Sequence, residues 1–237
     1  SEDLIALAEN IRSQLTLLTD ASDNIHALEE EISSETIIAQ KLAAKLSSGR
    51  QKAAEMLRKI VEKSLSLMDM PAAKFVVNIQ SSTELNPYGM DKITFLFSAN
   101  NSLAPRSLAE VASGGEMSRV MLALKALTSR QIQLPTIVFD EIDTGVSGKV
   151  ASSMAQIMGE MCKEAEQQVL AITHLPQIAA KADVHYFVYK EDVDGRTLTR
   201  IRELDSEQRI TELAHMLSGS KVTDAAMENA RQLLQDK

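Results

Sequence analysis

Thr136-Ile-Val-Phe-Asp140-Glu141-Ile-Asp143-Thr144-Gly145-Val-Ser147-Gly148 is the stretch that decides the fold. Its first four residues are largely apolar and of strand character, and they end in two adjacent carboxylates. A polar turn of small residues follows and opens a helical pattern from Gly148 to about Glu164. The next apolar run, Gln168-Val-Leu-Ala-Ile-Thr173, ends at His174 and precedes a short helix after Pro176. Upstream, Val120, Met121, Leu124 and Leu127 mark a helix from Gly114 to Arg130. Strand alternating with helix between Gly114 and Lys181 predicts an α/β fold, a parallel sheet flanked by helices. Burial of the first strand would set Asp140 and Glu141 at its carboxyl end, where parallel sheets hold ligands, and the second would deliver His174 to the same edge.

Outward from this centre the periods change. Leu4, Leu7, Ile11, Leu15, Leu18, Ser22, Ile25, Leu28 and Ile32 step by threes and fours, the beat of a coiled-coil seam. It continues through Ala39, Leu42 and Leu46 and resumes at Ala53, Leu57, Ile60, Ser64 and Leu67, with a kink expected at Gly49. Pro71 should end this arm at Met70, because proline cannot continue the hydrogen-bond ladder. Residues 1–70 therefore read as an arm and 71–237 as a globular part. In the latter, Phe75–Ile79 and Ile93–Phe97 flank the turn-forming Asn86-Pro-Tyr-Gly89. A second hairpin is expected from Val184–Lys190 and Thr197–Leu204 about Asp194-Gly195, before helices Ser206–Leu217 and Thr223–Gln235.

Composition narrows the function. The chain has 237 residues, 44% hydrophobic and 24% charged, which suits a soluble globular protein. No apolar run approaches the roughly 20 residues of a membrane span, so a cytoplasmic protein with no membrane partner is expected. One cysteine, Cys162, and four scattered histidines give no structural metal site. A first residue other than Met suggests a piece of a longer protein. The net charge of -8 argues against a surface wholly devoted to nucleic acid, and 3% aromatics argue against base-stacking platforms. The charge is uneven, however. Residues 1–35 carry nine acids and one base, whereas residues 36–63 carry Lys41, Lys45, Arg50, Lys52, Arg58, Lys59 and Lys63 against Glu55 and Glu62. That basic stretch is a candidate for sequence-independent contact with DNA phosphates, and pairing with acids of a neighbouring helix is the competing reading.

Four short segments carry chemistry. Ala112-Ser113-Gly114-Gly115-Glu116 precedes a helix, and its glycines and free first-turn N–H groups suit an anion such as phosphate. Of the adjacent acids Asp140 and Glu141, one can hold Mg²⁺ through water while the other orients or deprotonates an attacking water. Asp143-Thr144-Gly145-Val-Ser147-Gly148 is a turn whose Ser147 can cap the next helix. His174 at a strand end can contact a phosphate oxygen or that water.

The order and spacing of these segments resemble the signature motif, Walker B motif, D-loop and switch histidine of ABC-type ATPases. Glu116 resembles the branch containing the structural-maintenance-of-chromosomes (SMC) proteins. The longer strings Ala112-Ser-Gly-Gly-Glu-Met-Ser-Arg119, Val138-Phe-Asp-Glu-Ile-Asp-Thr-Gly-Val-Ser-Gly148 and Thr173-His-Leu-Pro-Gln177 resemble the RecN family of bacterial DNA repair proteins. The resemblance implies the carboxy-terminal lobe of an ABC-type head preceded by a returning coiled-coil arm. It further implies that Ser113, Gly114, Gly115 and Glu116 meet ATP held by a second head, that Asp140 holds the Mg²⁺ shell, that Glu141 is the general base and that His174 contacts the γ-phosphate. The loop from Thr144 to Ser147 is implied to cross the head–head interface, and Asp143 and Gly145 are implied to bind the nucleotide. Ser147 stands where relatives commonly have Asp. No Gly-x-x-x-x-Gly-Lys-Ser/Thr loop occurs, so ATP and Mg²⁺ would both need an amino-terminal half-head. The function implied is ATP-driven pairing of heads in recombinational repair of DNA double-strand breaks, at the bacterial nucleoid. The alternatives are another coiled-coil ABC ATPase of chromosome maintenance, a catalytically inactive coiled-coil interaction module, and a transporter ATPase subunit.

Overall fold

The first helix, α1, runs over Glu2–Leu67, 66 residues that contain no proline and a single glycine. The computed structural model describes residues 2–110, 114–165, 167–193, 195–219 and 221–235. The helix is continuous through Gly49. An interior glycine costs about 1 kcal/mol but removes no hydrogen bond, so nothing forces a break there. The helix also ends three residues before Met70. Asp69 turns into the left-handed region at φ 63°, and the Met70 N–H closes back on the Leu65 carbonyl at 3.0 Å. This left-handed closure, rather than Pro71, terminates the helix.

Two units divide the chain. One comprises Ser1–Met56 and Val77–Thr94, the other Leu57–Val76 and Phe95–Lys237. Strands β1 (Lys74–Asn86) and β2 (Gly89–Ser98) are joined at Pro87-Tyr88, and a two-residue β3 (Arg106–Ser107) pairs antiparallel with β2. In the first unit, Arg50 of α1 donates to Asp91 Oδ2 at 2.9 Å and to the Tyr88 carbonyl at 2.7 Å. Gly89, at φ +101°, lies so close to Leu46 that a Cβ would stand 3.2 Å from its Cδ2.

The second unit holds the α/β core. Helix α2 (Gly114–Ile132) leads to β4 (Thr136–Asp140), α3 (Gly148–Ala165) to β5 (Gln168–Ile172), and β5 to α4 (Pro176–Lys181). Strands β4 and β5 pair in parallel from Thr136↔Gln168 to Asp140↔Ile172. A buried polar clamp sets their start: Gln167 Nε2 donates to the Ser129 and Leu134 carbonyls at 3.1 and 2.6 Å, and the Ser129 hydroxyl donates to Gln167 Oε1 at 3.1 Å. Phe139, Val120, Leu122, Met154 and Met161 are each buried. Burial of Thr136–Asp140 is one-sided, because Phe139 is buried while Val138 is 51% exposed, and in β5 Leu170 and Ile172 are 43% and 56% exposed. Helix α3 packs against β5 and α2 against α3, while among the described residues the face of the two-stranded pair that carries Val138, Leu170 and Ile172 stays exposed.

The chain closes with the antiparallel ribbon β6 (Tyr186–Val193) and β7 (Arg196–Glu203), then α5 (Ser206–Ser218) and α6 (Asp224–Gln235). Asp205 starts α5 with a capping box, accepting from the Gln208 N–H while the Gln208 side chain accepts from its own. Leu213, Ala214, Ala226 and Ala230 form a second core with Ala179 and Ala180 of α4. No described helix is long and apolar enough to cross a membrane.

Candidate functional site

The parallel register brings the two acids and the histidine to one end of β4 and β5. Asp140 pairs with Ile172, and the Glu141 N–H donates to the Ile172 carbonyl at 3.1 Å. At Glu141 the backbone leaves the strand through the left-handed region, φ 47°. A non-glycine residue is strained there by about 1–2 kcal/mol, and the turn that follows holds it in place. The Thr144 N–H and hydroxyl both donate to the Glu141 carbonyl, at 3.2 and 2.8 Å, and the Val146 N–H donates to the Asp143 carbonyl at 3.1 Å. The side chains of Asp140 and Glu141 are left exposed.

Asp143 behaves differently, being 0% exposed. Its Oδ2 accepts the hydroxyl of Thr173, which in turn accepts the Leu175 N–H at 3.0 Å. His174 Nδ1 lies 3.9 Å from the same oxygen, with 69% of the imidazole side chain exposed. Asp143 Oδ1 is buried and has no hydrogen-bond partner among the described residues.

At the start of α2, Gly114 is exposed, Gly115 buried and Glu116 half-buried. A Cβ on Gly115 would stand 2.6 Å from the carbonyl oxygen of Gly145, itself at φ +73°. Only glycine permits this approach of helix start and turn. Arg119 braces the same turn, its Nε donating to the Gly115 carbonyl at 3.0 Å and its Nη1 to the Met68 carbonyl at 3.1 Å. Ser113 lies outside the described residues. Ser147 stands at the start of α3, accepting the Ala151 N–H on its carbonyl at 2.9 Å.

In the sequence Thr173 and Arg119 stand only as parts of longer strings, and neither has a role there. A polar β-branched residue at the end of an apolar strand, and an arginine four residues after a glycine on a helix, are the available signals. Their partners lie 30 and 51 residues away in the chain, so pattern alone does not pair them.

Among the described residues no group of three or more carboxylate, imidazole or thiol side chains is placed to hold a metal. Mg²⁺ keeps several of its waters and is bound through one or two carboxylates plus substrate phosphates, so a site for it needs no such group. The free N–H groups of the first turn of α2 suit a phosphate.

The basic residues of α1 separate into two sets. In the first unit Arg50 is engaged with Asp91, and this hydrogen bond, helped by Ser47 and Ser81 against the cost of burial, holds the Asp91 carboxyl below its ordinary range. Lys41, Lys45 and Lys52 of that unit are exposed. At 100° per residue they fall within about 40° of one another on the helix. In the second unit Arg58 pairs with Glu62 at 2.7 Å, while Lys59 and Lys63 are exposed.

No protein-family model matches the chain. It is 35% identical over 234 residues to DNA repair protein RecN of Haemophilus influenzae, matching 98% of this chain and 42% of that protein. RecN of Bacillus subtilis is 35% identical over 248 residues, 98% of this chain and 43% of that one. The chain thus spans somewhat over two-fifths of the length of these relatives. Among solved structures, one described as concerning ATP-driven dimerization and DNA stimulated activation of SMC ATPases aligns with a TM-score of 0.52 and 17% identity, over 74% of this chain and 99% of its own. The Smc head domain with a coiled coil and joint from Pyrococcus yayanosii aligns with a TM-score of 0.54 and 21% identity, over 69% of this chain and 29% of its own. Along nearly its whole length the chain is homologous with a segment of RecN, and its fold is that seen in SMC heads.

Proposed function

We propose, with homology to RecN as the premise, that this chain is the returning coiled-coil arm (residues 1–70) and carboxy-terminal half-head (residues 71–237) of an SMC-like ATPase. The ATPase acts in recombinational repair of DNA double-strand breaks, in the bacterial cytoplasm at the nucleoid. The observation that carries this reading is the convergence of Asp140, Glu141 and His174 on one end of the β4–β5 pair, beside a glycine-started helix. The uncovered apolar face formed by Val138, Leu170 and Ile172 supports an amino-terminal half-head of the same protein as the missing layer.

When bound, ATP would supply the transferable phosphoryl group and Mg²⁺ the positive charge that neutralises the phosphate oxygens during transfer. Asp140 would hold the metal. Glu141 accepts the proton of the attacking water, and His174 contacts the γ-phosphate. Ser113, Gly114 and Gly115, with Glu116 behind them, meet a phosphate held by a second head, so nucleotide binding pairs two heads. The turn from Asp143 through Gly145 to Ser147 carries this contact back toward Glu141 along the backbone that joins them. The exposed Lys41, Lys45, Lys52, Lys59 and Lys63 supply sequence-independent contacts to DNA.

The test uses the intact protein. Glu141→Gln should keep ATP-dependent pairing and slow hydrolysis by roughly 100-fold or more, since loss of a general base typically costs 10²–10⁴. Ser113→Arg should block pairing, as read by sedimentation with ATP. Normal pairing of Ser113→Arg would remove the signature role, and undiminished turnover of Glu141→Gln would remove the base. The 237-residue chain by itself should not turn over ATP, because it has no phosphate-loop sequence.

A further inference from the structure

Asp143 carries a carboxylate that its surroundings withdraw from any ligand. It is fully buried, and Thr173 and His174, at the end of β5, approach its Oδ2. An ionised carboxylate offers about four lone-pair sites. Thr173 fills one of them and can fill no more, because its single hydroxyl proton is already donated to Asp143 Oδ2 while its oxygen accepts the Leu175 N–H at 3.0 Å. Oδ1 has no partner among the described residues, and a buried carboxylate so poorly satisfied favours any further donor within reach. His174 Nδ1, 3.9 Å from Oδ2, is such a donor. The separation exceeds a hydrogen bond, and a small rotation of the exposed imidazole would close it to the roughly 2.7–2.9 Å of a charge-assisted one.

We propose that Asp143 is a positioning residue for His174: held in place by Thr173, its buried carboxylate keeps the proton of the neutral imidazole on Nδ1 and turns Nε2 outward toward the site. Nε2 is then free to accept from the attacking water, and an imidazolium, when it forms and donates to a phosphate oxygen, is stabilised by the same carboxylate. This assignment rests on the ATPase reading for what Nε2 does, and it replaces a nucleotide contact by Asp143 with an internal one. Thr173 becomes the anchor of the carboxylate, so three residues on two strand ends act as a unit.

The tautomer can be measured without nucleotide. The chain has four imidazoles, His26, His174, His185 and His215, so ring ¹⁵N shifts of histidine-labelled protein can be assigned with His174→Gln. At a pH where the ring is neutral, His174 should be mainly the Nδ1–H form. Asp143→Asn should shift the majority to Nε2–H, the form that imidazole prefers in water, with the His185 and His215 signals unmoved as a check on folding. A wild-type ring already in the Nε2–H form, or an Asp143→Asn ring with the wild-type tautomer, overturns the proposal. Should Asp143→Asn not fold, Thr173→Val removes the anchor of the carboxylate and should lower the Nδ1–H share of His174, and an unchanged tautomer there is equally adverse. In the intact protein Asp143→Asn should lower ATP turnover by roughly 10-fold or more. The Nδ1–H tautomer together with no ATP hydrolysis by the intact wild-type protein would sink the ATPase reading and leave the positioning of His174 standing.

Discussion

Gly115 and Gly145 meet backbone to backbone, with 2.6 Å between the position of a Cβ on the first and the carbonyl oxygen of the second. The start of α2 and the turn after Glu141 are therefore one packed unit, although about 30 residues of chain separate them. In the proposed function this joins the surface that meets a second head to the segment that carries the general base.

Gly115→Ala should destabilise the protein by about 1–3 kcal/mol, since backbone must move to admit the methyl group. Gly159 of α3 has open space at its Cβ, and Gly159→Ala should instead stabilise by about 0.5–1 kcal/mol. Urea unfolding of the two variants measures the contrast, and a rise in the midpoint for Gly115→Ala would contradict the close approach.

Glu141 stores strain at φ 47°. Replacing it with glycine relieves that strain, so Glu141→Gly should leave stability unchanged or raise it by up to about 1 kcal/mol while abolishing hydrolysis in the intact protein. A clear loss of stability, seen by thermal unfolding, would show that the carboxylate rather than the backbone holds the turn.

Asp91 is held ionised by Arg50, so its folded pKa lies below the ordinary 3.8. The sign follows: its stabilisation is present above about pH 4 and is lost as pH falls through the folded pKa. Asp91→Asn should therefore remove part of the acid-induced destabilisation below pH 4, and Arg50→Gln should mimic it. Identical acid unfolding profiles for wild type and Asp91→Asn would count against the pairing.

Arg209 of α5 closes the carboxyl end of α4, donating to the carbonyls of Ala179 at 3.1 Å and Ala180 at 3.0 Å and also to Ala182. Arg209→Met should cost about 2 kcal/mol, as several carbonyls lose a charged donor. Burial, helped by the Arg209 charge, lowers the pKa of His185 below its ordinary 6.5. The unfolded chain thus takes up the proton first, and stability present above about pH 6.5 declines as pH falls toward the folded pKa. His185→Gln should flatten that decline in a pH series of unfolding midpoints, whereas an unchanged slope would mean that His185 titrates normally.

Changing Lys41, Lys45 and Lys52 together to Glu should weaken DNA binding by the intact protein and reduce its salt slope by roughly 2–3, about 0.9 for each phosphate no longer neutralised. The helical content of α1 should be unaffected, because all three side chains are exposed. Undiminished affinity at low and high salt would end the DNA assignment of this stretch.

The sequence by itself determined the order and type of the elements. Helical and strand periods, and turn residues such as Asn86-Pro87-Tyr88-Gly89, act over a few residues, so α1, the two hairpins, the β4–α3–β5 unit and the closing helices were legible without coordinates. The motif strings around Gly115, Asp140 and His174 were legible for the same reason. Tertiary structure alone decided which of these residues face outward. Asp140, Glu141 and Asp143 are three carboxylates within four positions, yet the left-handed turn at Glu141 leaves two exposed and buries the third against Thr173. It alone decided that Gly115 is needed for contact with Gly145, that Arg50 belongs to Asp91, and that α1 closes through Asp69 rather than at Pro71. It also left one face of β4 and β5 open. An apolar run states that a strand can be covered on both faces, but whether a layer is there depends on atoms far away in the chain or outside it.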